Sequence, residues 1–540
     1  MSMATSHTTN TSSDIPIEQV PVTSPPGLAA QDKVLVQELA PISTRQSRIG
    51  SQADARELGI RQTVSNQAVV ILLPQMTRDL KIPPNRQQWI VSTFALTSGS
   101  FLLLFGKLGD VYGKRAFFIL GCFWVTVTAL ATAFSPIELV TYVMRALHGL
   151  GSAATIPSAI GIIGYTIPPG RVKTYSFAFY SGGAPAGQVL GNLLGGLISE
   201  YTSWKVVFFA IAGVSFIVGI IAIFVIPKEP ASKAPSDDQP RASGVDWTGA
   251  FLFTSGTLLL LIALSQGVSQ GWRTPFVIAV LIVSVILLAV FIYWQHYLET
   301  KSLREPLMHV STFKTARFSF AMVIIFFFSG GFTNYLVYST YFYQDYQLLS
   351  PIQTTLRFIP LGIVGMASTV ASGYLLSRVR GNFILIFGLV LASLSNLLFA
   401  VPIPPSTSYF AYGFLAMCFA AVGADTIYPC IGLFTTQALP RKDQGVAGAM
   451  FQTVASMGRA MFLPVTAAVQ YSTQNKLTVN GHGETYALLE GLRAAEWLCF
   501  ALMAVSLLVT ILGLRDIGRI GQLKKLGQVQ SGSAEIDTEK

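Results

Sequence analysis

Apolar runs of about 20 residues recur from Gln88 almost to the end of this chain, and nothing else in the sequence limits its fold so strongly. A helix of that length crosses the hydrocarbon core of a bilayer, and it satisfies its own backbone N–H and C=O groups where lipid offers no partner. Clear runs begin near Gln88, Phe117, Ile137, Ser176 and Val206. Two more cover Gly249 to Leu264 and Phe276 to Trp294, and a third group begins near Phe318, Phe358, Phe383, Tyr409, Val446 and Ala494. With one short span before Gln88 the count is fourteen, arranged as six, two and six. Composition agrees: 51% of the 540 residues are hydrophobic and 11% are charged, against roughly 25% charged in soluble domains. The expected fold class is all-α integral membrane.

The span before Gln88 is the weak one. It is apolar only from Val64 to Leu73, directly after Arg56, Glu57, Arg61 and Gln62, so it is too short to cross unaided. Either its polar residues line a cavity, or part of the segment is missing from this gene product.

The formal charge of +10 sits in short clusters between the runs, which fits the positive-inside rule and not a nucleic-acid surface. One set of loops holds Lys107, Lys114 and Arg115, then Arg171 and Lys173, then Lys228, Lys233 and Arg241. It continues with Lys301, Arg304 and Lys314, then Arg378 and Arg380, then Arg441 and Lys442. The other set is nearly bare apart from Arg78, Lys81, Arg86, Lys205 and Arg273, so both termini are expected in the cytosol. The expected organisation is a disordered cytosolic tail (1–56), a first six-helix bundle (57–226), linkers and two extra helices (227–316), a second six-helix bundle (317–514) and a cytosolic tail (515–540). The tail is rich in Ser, Thr, Pro and charge without an apolar core, so no signal peptide is visible and Asn10 is expected to be unglycosylated.

Cys122, Cys418, Cys430 and Cys499 all fall inside apolar runs and lack metal-ligand spacing. His7, His148, His296, His309 and His482 are scattered, and no nucleophile elbow is present, so neither a metal, a cofactor nor an enzyme activity is expected.

Four groups of residues carry chemistry. Gly106-Lys107-Leu108-Gly109-Asp110-Val111-Tyr112-Gly113-Lys114-Arg115 joins the second and third spans. Its glycines permit a tight turn, and Asp110 can accept charge-assisted bonds from a neighbouring helix end or an Arg. The spacing lacks the Gly-x-x-x-x-Gly-Lys of a phosphate loop. Arg145, in Arg145-Ala146-Leu147-His148-Gly149, lies deep in the fourth span, where a cation is costly unless it faces a polar cavity or a partner. His148 shares its helix face and reads as a structural contact or as a proton relay. Gly183, Gly187, Gly191 and Gly195 recur every fourth residue around Pro185, giving a smooth face for close packing or rocking. Asp425 and Arg459 lie near the middle of the twelfth and thirteenth spans. They read as a titrating acid with a tuning Arg, or as a permanent ion pair. A solute cavity is expected among Asn334, Tyr338 and Tyr341 of the ninth span and Gln188 and Asn192 of the fifth, suited to a planar or moderately hydrophobic compound. Tyr343, near the outer end, reads as an interfacial residue.

These segments resemble motifs A, B and C of the major facilitator superfamily, in particular its fungal-type fourteen-helix drug:proton antiporters. Trp204-Lys205, Val245-Asp246-Trp247-Thr248-Gly249, Ser350-Pro351-Ile352-Gln353, Arg357-Phe358-Ile359-Pro360, Gln444-Gly445-Val446-Ala447-Gly448 and Leu489-Glu490-Gly491-Leu492-Arg493 extend the resemblance from Gln67 to Arg515. It implies two six-helix bundles plus two extra helices, alternating access, and proton-coupled efflux of drugs, toxins or secondary metabolites. Arg145 is then associated with proton transfer, and the glycine series marks the antiporter branches. Two positions depart from the pattern. Ser65 stands where bacterial-type members carry the first-helix Asp, and His148 stands where the family usually has Gln. The same resemblance also covers aminotriazole, boron and ammonium transporters, which keeps open a facilitator or importer of a small polar solute. A non-transporting receptor on this fold is the third reading. The partners expected are a small solute, protons and lipid. The chain is expected to be a monomer in the plasma membrane, with the vacuolar membrane as the other location.

Overall fold

The computed structural model describes residues 64–65, 67–83, 86–166, 187, 190–227, 245–301, 306–404, 407–437 and 444–515. The expectations for the amino-terminal tail, for Gly183, Pro185 and Gln188, for the loops holding Arg171, Lys173, Lys228, Lys233, Arg241, Arg304, Arg441 and Lys442, and for the carboxyl tail beyond Arg515 lie outside those residues.

Among the described residues the chain forms fourteen helices and no strand. They are α1 (64–79), α2 (Trp89–Tyr112), α3 (Lys114–Ala133), α4 (Glu138–Thr166), α5 (190–201), α6 (Trp204–Val225), α7 (Trp247–Gln270) and α8 (Pro275–Lys301). After them come α9 (Ala316–Tyr341), α10 (Pro351–Arg378), α11 (Gly381–Ala400), α12 (Gly413–Gln437), α13 (Gln444–Val479) and α14 (Glu484–Gly513). Ten helices are long and apolar enough to cross a membrane by length and composition alone.

Local chemistry explains where several begin. The Ser350 side chain accepts from the Gln353 N–H while Gln353 reaches back, a capping box with Pro351 at the first position of α10. Asp246 caps α7 by accepting from the Gly249 N–H at 2.9 Å. Inside the helices, hydroxyls such as Thr97, Thr126 and Thr132 bond carbonyls one turn back, which satisfies them without solvent. Pro157, Pro360, Pro429 and Pro464 sit within α4, α10, α12 and α13, as membrane helices tolerate.

Helix contacts among the described residues group the helices as follows. α2, α3, α4 and α6 pack on one another, as do α9 to α14, with α7 and α8 as a separate pair. The pair is knotted at Asp246, whose carboxylate accepts from Trp294 Nε1 at 3.0 Å and Gln295 Nε2 at 2.6 Å. Gln295 Oε1 in turn accepts from the Met308 N–H at 3.1 Å, just before α9. α7 also touches the other group: Thr257 donates to Ser100 Oγ of α2 at 3.0 Å, and Leu261 packs with Leu96 of α2 and Ala460 of α13.

α1 is enclosed where lipid would otherwise reach it. Ala68, Val69, Ile71, Leu72, Leu73 and Met76 are all fully buried by protein. Its short apolar stretch therefore works because neighbouring helices, and not lipid, surround it. α8 is the reverse, with Ile282, Val285, Ile286 and Ile292 exposed around an almost wholly apolar helix. α14 begins at Glu484, ten residues ahead of its expected start near Ala494, because Glu490 and Arg493 pair at 2.7 Å and Arg493 also donates to the Ile403 carbonyl.

Candidate functional site: a polar junction around α1

The turn between α2 and α3 needs the backbone freedom of glycine. Gly113 has φ +105°, a region side-chain-bearing residues rarely enter, and its N–H bonds the Gly109 carbonyl. Lys114 pairs with Asp110 at 2.8 Å, and the Lys114 stem crosses α4 at Gly161. Gly106 and Gly109 leave room for Pro157 and Ser158 of the same helix. Arg115 donates to the Ile223 and Ile226 carbonyls at 2.6 and 2.8 Å, closing the last turn of α6. Asp110 thus meets the first residue of the neighbouring α3. Its carboxylate turns to Lys114 of its own motif and stays half exposed.

Arg145 is 1% exposed in α4. Its Nε donates to the Ile90 carbonyl at 3.1 Å and its guanidinium lies 4.7 Å from the centre of the Phe94 ring. Its Nη1 has no hydrogen-bond partner among the described residues. The edge of the same ring meets His148 at 5.4 Å, and His148 Nε2 lies 3.5 Å from Ser65 Oγ on α1. The two positions that depart from the family pattern are thus neighbours in space.

The glycine face of α5 rests on α1. A side chain at Gly191 would strike the Val64 carbonyl and Gln67, and one at Gly195 would strike Ala68. Gly187 is helical and buried. Asn192 is 2% exposed, and its side-chain oxygen and nitrogen are both without partners among the described residues. Across the molecule, α5 meets α10, where Thr355 donates to the Asn192 carbonyl at 2.9 Å.

Of the ninth-span residues, Asn334, Tyr338 and Tyr341 are all buried. Asn334 donates back to the Gly330 carbonyl at 2.8 Å and, among the described residues, leaves its Oδ1 unpaired. Tyr338 and Tyr341 meet edge to face at 5.8 Å, and the Tyr341 hydroxyl is likewise unpaired. Just beyond, Gln344 donates to the Ile71 carbonyl of α1 at 3.1 Å. Tyr343 is not interfacial: it is 1% exposed, packed against Phe358, Phe399 and Tyr409, because the chain tightens into a π-helical turn (Phe342–Tyr346) that points it inward.

Asp425 and Arg459 do not form an ion pair. Arg459 turns along its own helix to donate to Ser456 Oγ at 2.7 Å, and Asp425 packs toward α10, where Ser372 donates to its backbone carbonyl at 3.0 Å. The reading of a permanent ion pair is thereby corrected. Sequence reasoning missed Glu496, near the middle of α14. It is 2% exposed, neither carboxylate oxygen has a partner among the described residues, and it interacts electrostatically with Tyr335 and Tyr338 of α9. The signal was present: an acid inside Ala494-Ala495-Glu496-Trp497-Leu498, the same argument that singled out Asp425.

α2 packs along α13, at Leu96 with Ala460, Gly99 with Ser456 and Leu103 with Met450. Polar bonds between the two groups among the described residues lie toward the end that carries the α1–α2 loop. Besides Gln344 to Ile71 and Thr355 to Asn192, Gln87 donates to the Tyr471 hydroxyl at 3.2 Å and the Ile352 N–H donates to Glu200 at 3.4 Å. These bonds tie the two groups together at that end.

Similar architecture occurs in solved transporters. The chain resembles a bacterial homologue of the human lysosomal transporter Spinster, in an inward-facing and unoccupied conformation, with TM-score 0.60 and 13% identity over 87% of this chain and 98% of that one. It resembles the POT family transporter PepTSo with TM-score 0.61 and 14% identity over 84% and 97%. Among curated sequences it is 29% identical to the aminotriazole resistance protein of Saccharomyces cerevisiae, over 79% of this chain and 76% of that protein. It is 27% identical to the low affinity ammonium transporter of the same yeast over 71% and 73%, and 27% identical to efflux pump terJ of Aspergillus terreus over 82% and 83%. The family model described as Major Facilitator Superfamily matches residues 62–269 and 234–463. With the bundles, the motif turn and the polar junction in place, the chain belongs to the Major Facilitator Superfamily and is a multi-pass membrane transporter of small-molecule solutes.

Proposed function

We propose that this transporter exports small organic compounds from the cytosol in exchange for protons, by rocking its two six-helix groups about the junction at α1. One observation carries the reading: helices that meet around α1 hold buried polar atoms that no described residue answers, on Gln67, Arg145, Asn192, Asn334 and Tyr341. Unanswered donors and acceptors beside Tyr338 and Tyr341 suit a moderately hydrophobic solute with a few polar atoms. Relatives named as an efflux pump and an aminotriazole resistance protein support the direction. The cation distribution supports cytosolic termini, and on that orientation the end with the α1–α2 loop faces outward. Asp425, an acid at mid-helix, is the group that carries the proton in the second half, while the monomer sits in the plasma membrane.

The relative named as an ammonium transporter favours a second reading, a facilitator of a small polar solute. Inside-out vesicles from a transporter-deficient yeast separate the two. Acidifying the vesicle lumen drives uptake of aminotriazole or ethidium by an exporter, and a protonophore stops it. Asp425→Asn abolishes the driven uptake with expression intact. Equilibration of aminotriazole or ammonium without a gradient establishes the facilitator instead.

A further inference from the structure

We propose that His148 is the proton-exchanging group of the first six-helix half, acting through its contact with Ser65 on α1. The inference rests on the proton-coupled reading above and adds a site to it.

Among the described buried polar side chains of α1 to α6, only Arg145 and His148 are ionisable. A guanidinium does not release its proton in proteins, so it cannot cycle. An imidazole changes charge in the pH range where cells work. Among the described residues, the neighbouring helices contribute these groups. α1 contributes Ser65 and Gln67; α2 contributes Phe94 and Thr97, with Lys107 and Asp110 lying at its far end. α3 packs on the other side of α4, through Trp124 to the Leu147 carbonyl and Gly121 to Thr155, and its buried Cys122 lies against Gly219 of α6. Glu138, at the start of α4, is paired with Arg86 at 2.7 Å. α13, which borders α2 and α4, contributes Arg459, bonded to its own Ser456, and Tyr471, bonded to Gln87 of the α1–α2 loop.

Geometry shows how a proton there would be felt. Arg145 and His148 are one turn apart on the same helix face and share one Phe94 ring. Protonation places a second positive charge beside the first where burial magnifies repulsion, and the imidazolium must also donate through Nε2 toward Ser65. Ser65 lies on the helix whose Ile71 carbonyl receives Gln344 from α9, and whose surface carries Gly191 and Gly195. The charge on His148 therefore bears on the helix that joins the halves, and a difference in its cost between the two conformations couples proton to motion.

Two measurements test this. First, a form whose other four histidines are replaced by Gln is labelled with ¹⁵N-histidine and followed in lipid vesicles by solid-state NMR. The expected result is conversion of the His148 ring between neutral and charged forms as pH is lowered; an imidazole that keeps one form throughout overturns the proposal. Second, gradient-driven aminotriazole transport is compared in proteoliposomes. His148→Gln lowers it about tenfold and flattens its pH profile, while Ser65→Asp in the His148→Gln background recovers both by returning an acid to the same contact. A wild-type pH profile in His148→Gln overturns the proposal with the export reading intact. A wild-type protein whose transport ignores the gradient overturns the export reading, and this assignment with it.

Discussion

Arg145 holds one carbonyl and one aromatic face, and among the described residues no acid answers it and no group bonds the carboxylate of Glu496. A buried charge without an opposite charge is a poor way to stabilise a protein, and its replacement by an apolar residue of similar volume is often neutral or stabilising. Arg145→Met is therefore expected to melt at the same temperature as the parent or above it while losing transport. Thermal unfolding of detergent-purified protein, read beside transport, checks this, and a large loss of stability would make Arg145 structural. Glu496→Met is expected to stabilise by about 1–3 kcal/mol, since two unpaired buried acceptors disappear. At this scale the sequence revealed that Arg145, Asp425 and Arg459 were misplaced for lipid, because charge against hydropathy is visible in one dimension. It did not reveal their partners. Whether Arg459 meets Asp425 or Ser456 depends on how two helices are rotated, and 3.6 residues per turn leaves that angle free.

The fit between α1 and α5 is set by absent side chains. At Gly195 even one methyl group would lie 3.0 Å from the Ala68 carbonyl, whereas at Gly213 on α6 nothing lies within 4 Å. Gly195→Ala is expected to destabilise by about 1–3 kcal/mol and to slow transport, while Gly213→Ala leaves both unchanged or slightly improved. Matched melting curves settle the comparison. The knot at Asp246 makes a second case. Asp246→Ala removes a helix cap and two charge-assisted bonds, so a loss of roughly 2–4 kcal/mol follows, with α7 and α8 loosening first under limited proteolysis. Elements were the most legible level. Apolar run lengths placed most spans, and the four-residue glycine spacing announced a contact face. α1 was hard to place because its enclosure comes from partners far along the chain, and hydropathy measures only the helix itself.

On the rocking reading, the polar bonds near the α1–α2 loop, among them Gln87 to Tyr471, hold the two groups together at one end. Gln87→Cys with Tyr471→Cys, bridged by a short thiol cross-linker, is expected to freeze that closure and arrest transport, and cleaving the linker restores it. Continued transport in the bridged form would mean that this end need not open. The pairing of Ser65 with His148 belongs to this level too. The residues are far apart in the chain, and only assembly of the first six helices brings them within 3.5 Å. α7 has a mechanical consequence of its own. It is fastened by Thr257 to Ser100 on one side, and through Asp246 and Gln295 it grips the run-up to α9 on the other. If the two groups rock as proposed, a pair anchored on both sides cannot swing freely with either, and the motion would strain the Ser100 bond or the approach to α9. On that reading the inserted pair acts as a leaf spring between the groups.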